Sequence, residues 1–151
     1  MMKLTTASGL LLILAIVLPA SAAQAQTRFG LRGGFYLDHD ALFVGAQLTH
    51  PVAPRWRAMP NFELVLVERG SLFSINGDFC HRFPASHSPR WYAGGGLGIS
   101  HRSYRDFNDT DIGLSGIFGA EFGRGETLPF AFIKLLLFAD SELVIGGGVT
   151  F

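Results

Sequence analysis

The sequence predicts an all-β chain, an eight-stranded antiparallel up-and-down transmembrane β-barrel. Three observations carry this reading. Of the 151 residues, 48% are hydrophobic, yet beyond residue 25 no apolar run approaches the ~20 residues that a membrane helix needs. Apolar and aromatic side chains recur at period two, the signature of strands with two unlike faces. The 19 glycines are spread through these apolar segments, where each would cost a helix about 1 kcal/mol. A mean hydropathy of +0.31 with zero net charge argues against disorder. That balance also removes the electrostatic case for nucleic acid as a partner. Cys80 is the only cysteine, which excludes an intramolecular disulfide and a cysteine zinc cluster.

Residues 1–25 have the organisation of a secretory signal peptide. Lys3 supplies the positive start, Leu10 to Leu18 is an unbroken apolar stretch, Pro19 ends it, and Ala23-Gln24-Ala25 offers a small-x-small cleavage pattern. The nine-residue apolar stretch is too short for a spanning helix. No cysteine stands at the cleavage site after it, which argues against processing as a lipoprotein. Residues 26–151 are then the barrel domain.

The strands follow in order. Arg28 to Leu37 sets Phe29, Leu31, Gly33, Phe35 and Leu37 against Arg28, Gly30, Arg32, Gly34 and Tyr36. Ala41 to Thr49 and Phe62 to Glu68 are less regular. Phe73 to Phe83 sets Phe73, Ile75, Gly77, Phe79 and Phe83 against Ser74, Asn76, Asp78, Cys80 and Arg82. Trp91 to Ile99 opposes bulky residues to glycines. Ile112 to Phe122 alternates most clearly, with Ile112, Leu114, Gly116, Phe118, Ala120 and Phe122 on one face. Leu128 to Phe138 and Leu143 to Phe151 complete the set. Turn-like clusters separate them, and no internal repeat divides the chain.

Strands of about ten residues tilted by ~45° cross an apolar band of ~25 Å. A soluble barrel would bury its apolar face inside. Here the second face holds Gly, Ser, Asn and charges, which suits a narrow polar lumen and leaves the bulky face for lipid. A closed antiparallel sheet also satisfies every backbone polar group within hydrocarbon.

The chain ends Gly146-Gly147-Gly148-Val149-Thr150-Phe151, an aromatic preceded at two residues by another apolar side chain. This ending resembles the terminal-strand signal of bacterial outer-membrane barrels. With the leader and eight strands, residues 27–151 resemble small outer-membrane β-barrel domains of the outer-membrane protein A and X type. The resemblance implies a bacterial outer-membrane location, contact with outer-membrane lipid, and recognition of the strand ending in Phe151 by outer-membrane assembly machinery. A monomer is expected, and, since the chain stops at the barrel, nothing like the peptidoglycan-binding domain of outer-membrane protein A is expected after it. One departure is the loops. With both termini periplasmic, the sole sizeable outer loop is Ser103 to Asp109, whereas Pro51 to Arg57 and Pro84 to Pro89 are periplasmic.

Seven charges are expected inside the barrel: Arg32, Glu63, Asp78, Arg82, Glu121, Lys134 and Glu142. They read as a structural ion-pair network, since buried charges must be paired. A polar conduit, or a Glu63–Asp78 carboxylate pair, is the functional alternative. His101-Arg102-Ser103 bears comparison with lipid A deacylases, with His101 as base, Ser103 as nucleophile and Asp106 orienting the histidine. Tyr104 replaces the asparagine of that family's motif, and the strand is the wrong one, so a polar cluster at the membrane edge is the plainer reading. Asp106 to Asp111 crowds three carboxylates into the outer loop without the glycine and closing glutamate of an EF-hand. The Gly94–Gly98 run fits neither phosphate-binding motif. Trp91, Tyr92, Phe83, Phe122 and Phe151 are expected in interfacial girdles, and Cys80 as a lumen filler. No catalytic residue, cofactor or metal ligand is assigned. The reading is a non-enzymatic outer-membrane barrel with a plugged polar lumen. Its alternatives are a lipid-modifying hydrolase using His101 and Ser103, or a narrow, porin-like small-solute pore.

Overall fold

All eight expected strands form, and β8 closes onto β1. The computed structural model describes residues 26–151, so the leader expected at residues 1–25 lies outside the described residues. The strands are β1 (Arg28–Tyr36), β2 (Ala41–Ala53), β3 (Trp56–Leu66), β4 (Ser71–Arg82), β5 (Arg90–Tyr104), β6 (Phe107–Glu121), β7 (Leu128–Leu137) and β8 (Ser141–Thr150). Each pairs antiparallel with its chain neighbours. The closing seam runs from Gly30 opposite Thr150 to Tyr36 opposite Val144, and the Phe151 N–H extends it by donating to the Phe29 carbonyl at 2.7 Å. Closure leaves the sheet no free edge at the seam, which is how an up-and-down barrel satisfies its backbone. No helix occurs among the described residues.

Four connections lie at one end, here the hairpin rim, and three lie with the chain termini at the terminal rim. Four strands run well past their expected limits. β2 and β3 run on to a two-residue turn at Pro54 and Arg55, so residues 51–57 are mostly strand. The outward Pro60 interrupts the β2–β3 ladder locally, because it has no N–H to donate. β5 and β6 are each 15 residues long, and the expected outer loop at Ser103 to Asp109 is instead a hairpin turning at Arg105 and Asp106. Polar residues concealed this hairpin, because a strand projecting past an apolar layer needs no apolar face. At the hairpin rim Gly70 takes a φ of +88°, a conformation in which glycine carries no Cβ penalty.

The faces follow the alternation. Phe29, Leu31, Phe79, Leu97, Leu114, Phe118 and Ile145 point outward and are exposed, whereas Arg32, Ser74, Asn76, Asp78, Ser115 and Lys134 point inward and are buried. One expectation fails here. The interior is not made only of small and charged residues, since Tyr36, Phe43, Met59, Tyr92, Phe130, Phe132, Leu136 and Val144 form a buried apolar cluster within it. Inward glycines make room for these rings. A Cβ on Gly146 would stand 2.6 Å from the Phe132 ring, and one on Gly119 would stand 2.5 Å from Tyr92. Tyr92 is therefore a lumen residue and not part of a girdle. Trp91 does face outward and stacks on Phe118 at 5.4 Å between centroids.

Candidate functional site

The lumen is organised as two central ion pairs between two charged mouths. Arg32 on β1 lies 2.8 Å from Glu63 on β3, with both side chains wholly buried. The Tyr36 hydroxyl donates to the same carboxylate, and the Arg32 guanidinium covers the Phe132 ring at 4.1 Å. The second pair joins β7 to β4: Lys134 Nζ donates to Asp78 Oδ2 at 2.7 Å, again with no exposure. Asp78 also accepts from Asn61 Nδ2 at 2.8 Å and from Ser115 Oγ at 2.7 Å. Asn76 donates to Asn61 Oδ1 and to Ser74 Oγ, both at 3.2 Å, which links the two pairs laterally.

The Glu63–Asp78 carboxylate pair raised as an alternative does not form. Each carboxylate faces its own cation, and the asparagines stand between them. Arg32, Glu63, Asp78 and Lys134 thus fall where the alternation puts them, and their chemistry is mutual neutralisation. Side chains from non-adjacent walls meet here, since β4 and β7 are separated by two strands.

Glu121 anchors the terminal mouth. Arg57 pairs with its Oε1, while Arg82 and Arg90 approach Oε2 at 3.1 and 3.9 Å. Arg57 also stacks on Tyr92, at 4.4 Å from guanidinium to ring centroid. Arg82 reaches the lumen side as expected but remains partly exposed at the rim. Arg57 was missed, being assigned to a turn. The signal was present, because Arg57, Met59, Asn61 and Glu63 continue one face at period two.

At the hairpin rim, His39 bridges Glu142 through Nδ1 and Arg102 through Nε2. A Nδ1–H donating to the carboxylate leaves Nε2 to accept from the guanidinium. His101 and Ser103 share one face of β5 but do not touch. His101 Nδ1 is hydrogen-bonded to Thr110 Oγ1 at 2.8 Å, and Ser103 Oγ donates to Asn108 Oδ1 at 2.8 Å. The base and nucleophile of the hydrolase alternative are thus each engaged with β6, and Asp106 sits at the hairpin tip. Asp109 and Asp111 belong to β6 and line the mouth beside Arg102, not a loop. Among the described residues no cluster of three or more His, Cys, Asp or Glu side chains has the arrangement of a metal site.

Charge is therefore graded along the barrel axis. The hairpin rim carries Asp38, Asp40, Glu68, Asp106, Asp109, Asp111, Asp140 and Glu142 against Arg69, Arg102 and Arg105. The middle is balanced. The terminal rim carries Arg28, Arg55, Arg57, Arg82, Arg90 and Arg124 against Glu121 and Glu126.

No family model matches the sequence, and no curated protein matches it. Solved structures do match in fold. The N-terminal β-barrel domain of Pseudomonas aeruginosa OprF aligns over 85% of this chain and 98% of its own, with 15% identity and a TM-score of 0.67. Neisserial surface protein A covers 82% of this chain and 89% of its own, with 13% identity and a TM-score of 0.58. Ail, the attachment invasion locus protein of Yersinia pestis, covers 83% and 96%, with 14% identity and a TM-score of 0.53. The chain has the fold of the small eight-stranded outer-membrane barrels, as the resemblance implied.

Proposed function

We propose that this chain is a non-enzymatic integral protein of the bacterial outer membrane, a plugged barrel with a structural or interaction role. The observation that carries the reading is the outward wall. Every strand contributes large apolar side chains to it, among them Leu31, Leu42, Leu64, Ile75, Leu97, Leu114, Ile133 and Ile145. Soluble monomers rarely expose contiguous apolar patches beyond a few hundred Å², whereas a membrane barrel requires such a band. The likeness in fold to OprF, Neisserial surface protein A and Ail agrees with that setting. Phe29, Phe83, Trp91, Phe122 and Phe151 stand exposed towards the terminal rim, at a level where aromatic rings favour a membrane–water interface.

The plug is supported by the cross-lumen contacts. Lys134 and Asp78 meet from separate walls, and Phe43 packs towards Phe132 at 6.5 Å between centroids. In this reading residues 1–25 direct export, the terminal rim faces the periplasm, the protein is a monomer, and the assembly machinery engages β8 with its outward Phe151. The test is to refold the chain in detergent and examine heat-modifiable gel mobility. A chain that folds and stays soluble without detergent overturns the membrane assignment. Single-channel current in planar bilayers would refute the plug, and ester hydrolysis of lipid A would refute the non-enzymatic role.

A further inference from the structure

The terminal mouth holds more positive charge than the barrel needs. Its cavity of about 330 Å³ is lined by Arg28, Arg55, Arg57, Arg82, Arg90 and Arg124, with Glu121 as the sole carboxylate among the described lining residues. Glu121 already serves three of these arginines. Arg57 is almost fully buried, yet its Nε and Nη2 have no hydrogen-bond acceptor, nor does Nε of Arg82 or Arg90; at the lumen centre Arg32 also leaves Nε and Nη2 without one, but there a carboxylate is held by that arginine alone. Burying a charged donor without an acceptor is costly. Each cation at the centre of the lumen has its own carboxylate, whereas three arginines share one here.

We propose that this vestibule is a binding site for a phosphate-bearing anion. Guanidinium forks match tetrahedral oxyanions with paired hydrogen bonds. Arg55 and Arg124 are exposed at the outer edge, while Arg28, Arg57, Arg82 and Arg90 stand deeper around one carboxylate; this set suits a compact, multiply charged partner, and phosphate groups bring about two charges each near neutral pH. A monocarboxylate would neutralise only one arginine. The cavity is at the lower end of the ~300–1,000 Å³ typical of small-molecule sites, so it has room for more than one phosphoryl group. Glu121 acts as the resident anion that keeps the guanidinium groups oriented between ligands. Arg28, Arg57, Arg82 and Arg90 lie on inward-facing positions, so the ligand enters along the barrel axis. It comes either as a free phosphorylated solute or as a lipid headgroup folding over the rim.

The experiment is isothermal titration calorimetry of the refolded chain in neutral detergent at low ionic strength, with inorganic pyrophosphate as the probe. Saturable binding is expected, weakening as salt rises. Arg28→Gln and Arg82→Gln should each weaken it about tenfold, the effect of one charge-assisted hydrogen bond. Glu121→Gln should tighten binding, because it removes the competing carboxylate. Arg102→Gln, at the opposite mouth, should leave binding unchanged. Heat-modifiable mobility of every variant separates lost binding from lost folding, and so separates this proposal from the membrane reading. Absence of saturable binding in a folded chain overturns the proposal. Equal loss in Arg102→Gln, or equally tight binding of succinate, does so too. Repeating the titration in nanodiscs of phosphatidylcholine or phosphatidylglycerol assigns the source. Weaker apparent binding in the anionic discs that persists once salt screens their surface charge identifies a lipid headgroup, and equal binding under those conditions identifies a free solute.

Discussion

Replacing Arg32 with Met should unbalance the lumen far more than replacing both members of its pair. Arg32 and Glu63 are 2.8 Å apart with fully buried side chains. Without the guanidinium, Glu63 retains only the Tyr36 hydroxyl and Ser74, the latter at 3.5 Å. An uncompensated buried charge of this kind costs about 3–5 kcal/mol. Loss of the stacking over Phe132, at 4.1 Å, adds roughly 1 kcal/mol. Arg32→Met therefore belongs at the upper end of that range. Glu63→Gln keeps the Tyr36 partner and leaves the cation over its ring, so about 3 kcal/mol is expected. The double variant should lose only about 1–2 kcal/mol, because no charge is then stranded. Urea unfolding in detergent, read by the fraction retaining heat-modifiable mobility, supplies the four midpoints of the cycle. A coupling of at least ~3 kcal/mol is the expected outcome. Additivity within ~0.5 kcal/mol would mean that the charges are screened by water, and the closed-lumen argument would be refuted.

Leu114→Arg and Phe118→Arg should each cost about 2–4 kcal/mol in vesicles, because both side chains are exposed on the outward wall. Ser115→Arg should instead crowd Asp78, which accepts from the Ser115 hydroxyl, and its cost should persist when vesicles are exchanged for detergent. Equal losses at all three positions would contradict the assigned faces. Gly146→Ala should destabilise by about 1–3 kcal/mol, since its Cβ would meet the Phe132 ring. At Gly116, where a Cβ meets nothing within 4 Å, alanine should be neutral or stabilising by up to ~1 kcal/mol; comparable losses at both would undo the glycine–ring account. Phe151→Ala should refold in detergent with near-normal yield but insert poorly in cells, and unchanged cellular insertion would reduce Phe151 to a girdle residue. Cys80 is wholly buried, so thiol reagents should label it only as the barrel opens, and rapid labelling of the folded chain would reveal a solvated lumen.

The sequence disclosed the barrel because two-sided strands leave a period-two trace. The trace was clearest where bulky residues oppose small ones, as along β6 from Ile112 to Glu121. It faded where neither face touches an apolar layer. The projecting β5–β6 hairpin, with Ser103, Arg105, Asp106 and Asn108 at its tip, therefore looked like a loop. The start of β3 faded for another reason, since Pro60 and two arginines in its neighbourhood resemble turn chemistry. The apolar interior was hidden differently. Phe130 and Phe132 share the face of Lys134, the one β7 residue assigned to the lumen, but β7 is apolar on both faces, so the inward rings did not stand out from the lipid-facing ones.

Individual lumen charges were legible, but their partners were not. Alternation reports the wall of the barrel to which a side chain belongs, whereas pairing across the lumen depends on strand tilt and stagger. Those set which residues share a level. Lys134 on β7 meets Asp78 on β4, and Arg57 on β3 meets Glu121 on β6. In both cases the partners are three strands apart, a separation that no local pattern encodes. Glu63 and Asp78 illustrate the converse. They lie on neighbouring strands, yet Asp78 is opposite Met59 in the ladder and Glu63 is opposite Ser74, so the two carboxylates occupy different levels. The level of each cation then decides the electrostatics: Arg32 and Lys134 cancel the two central carboxylates, Arg69, Arg102 and Arg105 face the acidic hairpin rim, and the other arginines collect at the terminal mouth. The stagger that neutralises the middle of the lumen thus leaves the positive surplus at the terminal mouth, where an aqueous anion can reach it.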